Sequence, residues 1–287
     1  MFKDELFDGD ENAIVDFKYS SSPRLTWWFD HHESAFLSPE DEAHFRRDRS
    51  GRKFHDPSFK SCTKFIATVA AQRFGWRCPD LDELVHWADV IDGAQYPNAR
   101  AAVEMKEPAL RVLLVIEASR EPDVAERIIH DFQTKSLSEI ARQPYIVDRF
   151  QSLYRWHLET IDVIRKEAQS RDGVVYFDVS EHPVEGYNKF IPYYLFPDVR
   201  YSVGVSLSPS RAKVSVGSNP WSPKPRVHNL AKICERYGGG GHAAVAAISF
   251  PPDQIEAARR VAQEIAAELR SEPVKNGEGE RRVEVSG

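Results

Sequence analysis

Apolar positions along this chain follow two different periods. From residue 13 to about 60 they come in short runs cut by polar turns. "AIVDF" (13–17) and "LTWWF" (25–29) each read as a buried strand ending near an aspartate, with the turn-like "YSSSPR" between them. The polar stretch 38–56 reads as a loop or a short surface helix. "PSFKSCTKFIATVAAQRFG" reads as a helix with Phe65, Val69 and Ala70 on one face and Gly75 as its stop, and "DLDELVHWADVIDGAQYP" as a second helix that runs into a loop at Asp92–Gly93. From 108 to about 170 the pattern is helical throughout, punctuated by Pro108, Pro122 and Pro144.

Near residue 172 the period becomes two. "GVVYFDVS", "YSVGVSLS", "RAKVSVGS" and "AAVAAISF" alternate as strands, and Pro209–Ser210 marks a hairpin turn. "RVHNLAKICERYGGGGH" reads as a helix ending in a glycine run. "PDQIEAARRVAQEIAAELR" reads as a helix with Ile255, Val261, Ile265 and Leu269 on its buried side. The polar end, 272–287, is expected to be disordered. The fold class read from this order is α/β: an N-terminal parallel-sheet domain over 1–107, a helical connector over 108–171 and a smaller C-terminal α/β domain over 172–271. No internal repeat is visible.

Composition narrows the choices. With 38 basic and 44 acidic residues the net charge is −6, which argues against a whole surface built for long nucleic acid but not against a local basic patch. Cys62, Cys78 and Cys234 form no CxxC pair, and an odd count fits no disulfide framework, so reduced thiols are expected. No run approaches the roughly 18 apolar residues of a membrane span. The acidic start "MFKDELFDGDE" is unlike a signal peptide. A soluble cytoplasmic protein is expected.

Two stretches suggest chemistry. Asp30-His31-His32 follows a strand, Asp16 closes the strand before it, and Asp92 follows a helix at a glycine turn. In an open α/β sheet, ligands gather at the carboxyl ends of the strands, where carboxylates and imidazoles can converge on a metal. A single aspartate there is ordinarily a cap or turn former; adjacent histidines after a buried strand are harder to explain that way. The second stretch is "YGGGGHAAVAA", 237–247. Its glycines free the backbone to present N–H groups to an anion, and His242 could donate to the same oxygen. The alternative is a tight helix-to-strand crossover with a glycine cap. Between Tyr201 and His242 stand six basic residues and one acid, Glu235, a net +5 segment in an acidic protein.

DHH followed some two hundred residues later by GGGGH resembles the DHH/DHHA1 phosphoesterase family, which includes RecJ-like exonucleases, nanoRNases, phosphoadenosine phosphatases, cyclic-dinucleotide phosphodiesterases and exopolyphosphatase-like members. The likeness runs from Ala13 to about Arg270. It implies that Asp16, His31 and Asp92 hold metal, that His32 faces the scissile phosphate, and that Asp30 sets a histidine's tautomer. It implies Mn²⁺ or Mg²⁺, two ions in a complete site. It further implies that Gly239, Gly240, Gly241 and His242, with Arg226 and Asn219, meet a short nucleotide or other phosphate substrate in a cleft between the domains, with no membrane partner and a homodimer as one form of the protein.

The sequence departs from that pattern in places. The family's His-x-Asp-x-Asp loop after a first strand has no counterpart before Asp16, and "FDGDE" with Asp8 and Asp10 is not a substitute. The expectation is that a first strand and this loop lie upstream of a misplaced start or a truncated record, so that the chain as written supplies ligands mainly for one ion, and that one incompletely. Gly217 stands where many members carry a phosphate-binding arginine, and Lys224 or Arg226 is the candidate to compensate. The function expected is metal-dependent hydrolysis of short phosphodiesters or phosphoanhydrides; the alternative is a catalytically degenerate phosphate or nucleotide binder.

Overall fold

The computed structural model describes residues 6–119, 121–184 and 186–271. They form two compact units. The first comprises residues up to Pro97 and Lys106–Asp148; the second comprises Asn98–Met105 and the chain from Arg149 onward.

In the first unit, β1 (Ala13–Val15), β2 (Trp27–Asp30) and β3 (Lys53–His55) form a parallel sheet in the order β1-β2-β3. The register Val15↔Phe29 and Asp30↔His55 brings the carboxyl ends of all three strands to one edge. Strand alternation explains the aromatic run: Trp28 and Asp30 point to one face and are fully buried, while Trp27 and Phe29 stack on the other. Trp28 donates its indole N–H to the carbonyl of Phe17 and packs against Tyr19 edge to face at 4.8 Å. With Phe7, Ile14, Leu25 and Ala35 these rings make the core on that face.

Helices complete the unit: α1 (Pro39–Arg47), α2 (Cys62–Phe74) and α3 (Asp82–Asp92). Ser61 caps α2 by accepting from the N–H of Lys64, and Gly75 ends it in a left-handed conformation, φ 65°. Past α4 (Ala99–Val103), which belongs to the second unit, α5 (Pro108–Ala118), α6 (Pro122–Phe132) and α7 (Leu137–Ile140) return to the first. The stretch expected as a helical connector over 108–171 is divided between the two units. Its part up to Asp148 buries Leu110, Val115, Ile128 and Ile140 within the first unit. The division falls inside α8 (Pro144–Glu167).

The second unit is built on a six-stranded mixed sheet: β4 (Gln169–Arg171), β5 (Val174–Asp178), β6 (Tyr201–Leu207), β7 (Ala212–Ser218), β8 (Gly240–His242) and β9 (Val245–Phe250). The order is β4-β5-β6-β7-β9-β8, with β5 and β6 parallel and every other pair antiparallel. A short helix, α9 (Ile191–Leu195), precedes β6, and α10 (Leu230–Glu235) precedes β8. α11 (Ile255–Arg270) buries Ala258, Ala262, Ile265, Ala266 and Leu269 against one sheet face, where Val203, Val205, Val214, Val216, Ala246 and Ile248 meet it. Small residues on α11 allow the helix a close approach to the valine-rich strands.

The expected helix before the glycine run spans only α10, and the run itself holds a strand, because its backbone pairs with β9. The tail 272–287 lies outside the described residues. The three cysteines are free, and among the described residues no helix is long and apolar enough to cross a membrane.

Candidate functional site

The parallel register of β1 and β2 sets Asp16 and Asp30-His31-His32 side by side. Asp16 follows β1 directly, and its N–H donates to the carbonyl of Phe29 across the pair at 2.9 Å. Its φ is +59°, a left-handed conformation that aspartate tolerates better than most residues but that still costs free energy, about 1 kcal/mol. That turn aims the carboxylate at His31: Asp16 Oδ1 lies 3.1 Å from His31 Nε2. Asp92, the last residue of α3, places Oδ2 3.6 Å from the same nitrogen.

His31 is oriented from behind. Its Nδ1 lies 3.1 Å from the carbonyl oxygen of Phe59, which can only accept, so Nδ1 carries the proton and the neutral ring offers a lone pair at Nε2. Nε2 is buried without a hydrogen-bond partner, although Asp16 lies within ion-pair distance. The two observations agree, because the carboxylate is near but not aligned as an acceptor of a proton from that atom. Lone pairs of one imidazole and two carboxylates thus converge on one place, an arrangement that repels itself unless a cation sits there.

Asp30 holds the second histidine. It is fully buried, accepts the backbone N–H of His31 at 2.9 Å, and takes the Nδ1 proton of His32 at 2.6 Å. The His32 ring is half exposed, and Nε2 is the nitrogen that Asp30 does not hold. Asp16, His31 and His32 offer ligand atoms that all lie within 4.8 Å of one another. Asp92 approaches this group at His31.

One contributor is absent from the sequence reading. His55 in β3 donates from Nε2 to the carbonyl of His32 at 2.8 Å, with its ring stacked on Trp28 at 5.7 Å. It pins the loop that carries both histidines. The signal available was weak: Lys53 and His55 at alternate positions in a polar stretch.

A cavity of about 530 Å³ in the first unit is lined by Asp16 and Asp92 and otherwise mainly by apolar side chains, Val15, Ile66, Trp87 and Val112 among them. Apolar walls lower the local dielectric and strengthen the attraction of the carboxylates for a cation. Cys62 lines the same cavity, but burial, aided by nearby Asp16, Asp30 and Asp92, pushes its thiol up to about 12, against one opposing backbone hydrogen bond from Asp16. Its Sγ donates to the carbonyl of Phe29, and Cys62 is not among the residues whose ligand atoms converge; the convergent donors are oxygen and imidazole, which suit Mn²⁺ or Mg²⁺.

In the second unit the glycines separate by role. Gly238 has φ +76° and ends α10. A Cβ on Gly239 would lie 2.4 Å from the carbonyl oxygen of Ala247, and one on Gly241 2.5 Å from that of Val245. Those three glycines are explained by the fold. Gly240 is not: its φ is ordinary and a Cβ there meets nothing within 4 Å. The run is therefore a capped helix end leading into an edge strand, and not a loop wrapped around an anion. Open space above Gly240, beside the exposed His242, is what the arrangement leaves for a ligand.

The other expected substrate contacts are engaged within the fold, Asn219 fully and Arg226 through one of its five N–H groups. Both amide hydrogens of buried Asn219 go to the carbonyls of Pro197 and Val199, and its oxygen accepts from the N–H of Trp221; Asn219 clasps loops and has no donor left for a ligand. Arg226 turns back to donate to the carbonyl of His228. Gly217 has a steric cause: a Cβ there would lie 2.5 Å from the hydroxyl oxygen of Tyr193, which is hydrogen-bonded to Ser202 at 2.8 Å. A side chain at position 217 requires the Tyr193 hydroxyl to shift and disturbs its bond to Ser202.

No protein-family model matches the chain, and no curated protein matches it. Solved structures do. A pGpG-specific phosphodiesterase, PggH from Vibrio cholerae, is similar with a TM-score of 0.69 at 18% identity, over 91% of this chain and 84% of that one. A DHH domain described as a member of the s1p family of ribosomal proteins is similar with a TM-score of 0.54 at 14% identity, over 90% of this chain and 70% of that one. The chain has the DHH-type phosphoesterase fold.

Proposed function

We propose that this protein is a divalent-metal-dependent phosphohydrolase acting on short phosphodiester or phosphoanhydride substrates. The observation that carries the reading is the buried, unpartnered Nε2 of His31, held by Phe59 with its lone pair toward the carboxylates of Asp16 and Asp92. These three side chains would hold Mn²⁺ or Mg²⁺. Bound there, the ion supplies charge neutralisation at phosphorus and a water made more acidic. His32, fixed by Asp30 through Nδ1, can bind a phosphoryl oxygen or hold a proton for it at Nε2. Gly240 and His242 in the second unit are the candidate contacts for a substrate phosphate. The likeness in fold to a phosphodiesterase of stated specificity for pGpG supports a short linear dinucleotide as the first substrate to test.

The test is Mn²⁺ titration followed by calorimetry and electron paramagnetic resonance, which also gives the number of ions, alongside hydrolysis of pGpG and pApA. Saturable Mn²⁺ binding that is lost in Asp16→Ala and His31→Ala, with metal-dependent release of mononucleotides, is the expected result. Mn²⁺ binding indifferent to both substitutions, with no hydrolysis, would overturn the proposal.

A further inference from the structure

Consecutive residues after β1 each tie that strand's loop to β2 or to the loop that follows it. The N–H of Asp16 donates to the carbonyl of Phe29 at 2.9 Å, and the carbonyl of Phe17 accepts the indole N–H of Trp28 at 2.9 Å. The ammonium of Lys18 donates to the carbonyl of Ser34, and the N–H of Tyr19 donates to the carbonyl of Ala35 at 2.9 Å. The receiving turn is itself closed. Ala35 donates its N–H to the carbonyl of His32 at 3.2 Å, and its side chain is fully buried in the aromatic core. The loop that carries Asp16 and the loop that carries the two histidines are thus laced together, residue by residue.

The ties at Asp16 and Tyr19 are made by backbone groups, and the one at Phe17 by a core indole. Lys18 alone makes its tie with a side chain outside that core. It is partly buried, and among the described residues it pairs with no carboxylate. A surface lysine ordinarily runs its ammonium out to water. This one folds back over a carbonyl two residues beyond His32, on the same short segment whose left-handed turn, φ +59°, aims Asp16 at His31. Charge and geometry then act on cation binding in opposite directions. An ammonium close to a cation site repels the ion. A tie that keeps Asp16 in place favours the ion. The sign of the effect tells which one rules.

We propose that Lys18 is a positioning residue of the cation site: its bond to Ser34 holds the Asp16 turn in register with His31 and His32, so that their donor atoms converge. The inference rests on the metal reading given above. Without the tie, the loop is free to relax the left-handed conformation of Asp16, and the carboxylate swings away from His31. The loss falls on cation affinity, and the core beneath the loop, which Lys18 does not enter, keeps its stability.

Lys18→Met keeps the stem and removes the ammonium; Lys18→Arg keeps a cationic donor. Calorimetry with Mn²⁺ on both variants and wild type, with melting curves taken in EDTA, tests the proposal. Lys18→Met should bind Mn²⁺ about 10-fold more weakly, the lower end of the effect of losing an outer partner of a metal ligand. Its metal-free melting curve should match wild type, and Lys18→Arg should recover most of the affinity. Unchanged or tighter Mn²⁺ binding by Lys18→Met, the result of a charge that only repels the ion, overturns the proposal and leaves the metal reading standing. A lowered metal-free melting curve for Lys18→Met assigns the bond to folding and overturns it too, as does a Lys18→Arg protein that binds as weakly as Lys18→Met. If wild type takes up no Mn²⁺ with saturation, the metal reading fails and takes this inference with it.

Discussion

Replacing Gly240 by alanine separates a phosphate-binding strand from a mere turn. The structure gives the comparison its scale. A Cβ at Gly239 would sit 2.4 Å from the Ala247 carbonyl oxygen and 2.6 Å from Ile248 Cγ1, so Gly239→Ala must push β8 away from β9. Overpacking of this kind costs about 1–3 kcal/mol, and about 2–4 °C of Tm per kcal/mol for a domain of this size. Gly241→Ala carries the same clash and adds a φ of +146° that alanine avoids. Gly240→Ala meets no atom within 4 Å at an ordinary φ. By restricting the unfolded chain it should leave stability unchanged or raise it by up to about 1 kcal/mol. If a phosphate approaches the backbone there, the new methyl stands in its path, and losing one charge-assisted hydrogen bond lowers affinity about 10- to 150-fold. Thermal melts identify the folded variants, and calorimetry with pApA reads the binding. A Gly240→Ala protein that melts like wild type and binds like wild type would refute the reasoning. So would a fall in its Tm as large as that of Gly239→Ala.

Mn²⁺ at 100 times its Kd should stabilise the wild-type protein by about 2.7 kcal/mol, and differential scanning fluorimetry should show that gain abolished in His31→Ala. Asp30→Asn should lower kcat more than Mn²⁺ affinity, because it frees the His32 ring while leaving the Asp16–His31 pair in place; equal losses in both would argue against the assigned role. His55→Phe keeps the stack on Trp28 but removes the donor to the His32 carbonyl; activity should fall with Tm little changed, and His55→Gln should restore part of it. Burial lowers the pKa of His157, against a smaller opposing effect from its hydrogen bond to the Val103 carbonyl. The unfolded chain therefore binds the extra proton first, and stability should fall as pH drops below 6.5, the ordinary histidine value. Urea midpoints of His157→Gln should lack that component of the pH dependence.

The strands legible in the sequence are those whose side chains alternate against a core. Residues 13–17, 25–29 and the valine-rich stretches after 172 carry that pattern, and the structure places β1, β2, β5, β6, β7 and β9 there. The three strands that were not legible lack it. All three side chains of β3 are only partly buried, those of β4 are exposed, and β8 is two glycines and a histidine at a sheet edge. Pairing with a neighbour makes each a strand, and pairing is a tertiary fact. The proximity of Asp16 to His31 and His32 was readable because parallel strands deliver their carboxyl ends together. The clasp that Asn219 makes was not readable for the opposite reason: whether an amide is free depends on which carbonyls the fold brings to it. The division of the helices depends likewise on which sheet each one covers, and a continuous helical period is silent about that.

The contact between Tyr193 and position 217 makes two distant positions hereditary partners. Any lineage of this protein that acquires an arginine at 217 must first, or at once, shrink or move the tyrosine, since the first carbon of the new side chain would stand 2.5 Å from the hydroxyl oxygen. Conversely, a lineage that loses the tyrosine alone leaves Ser202 without its partner and a vacancy beside the glycine. Each single step descends and the double step need not, so the pair forms a small valley in sequence space. Gly217→Arg alone must displace the Tyr193 hydroxyl and disturb its bond to Ser202, whatever the arginine might do for a phosphate; Tyr193→Ala together with Gly217→Arg removes that conflict.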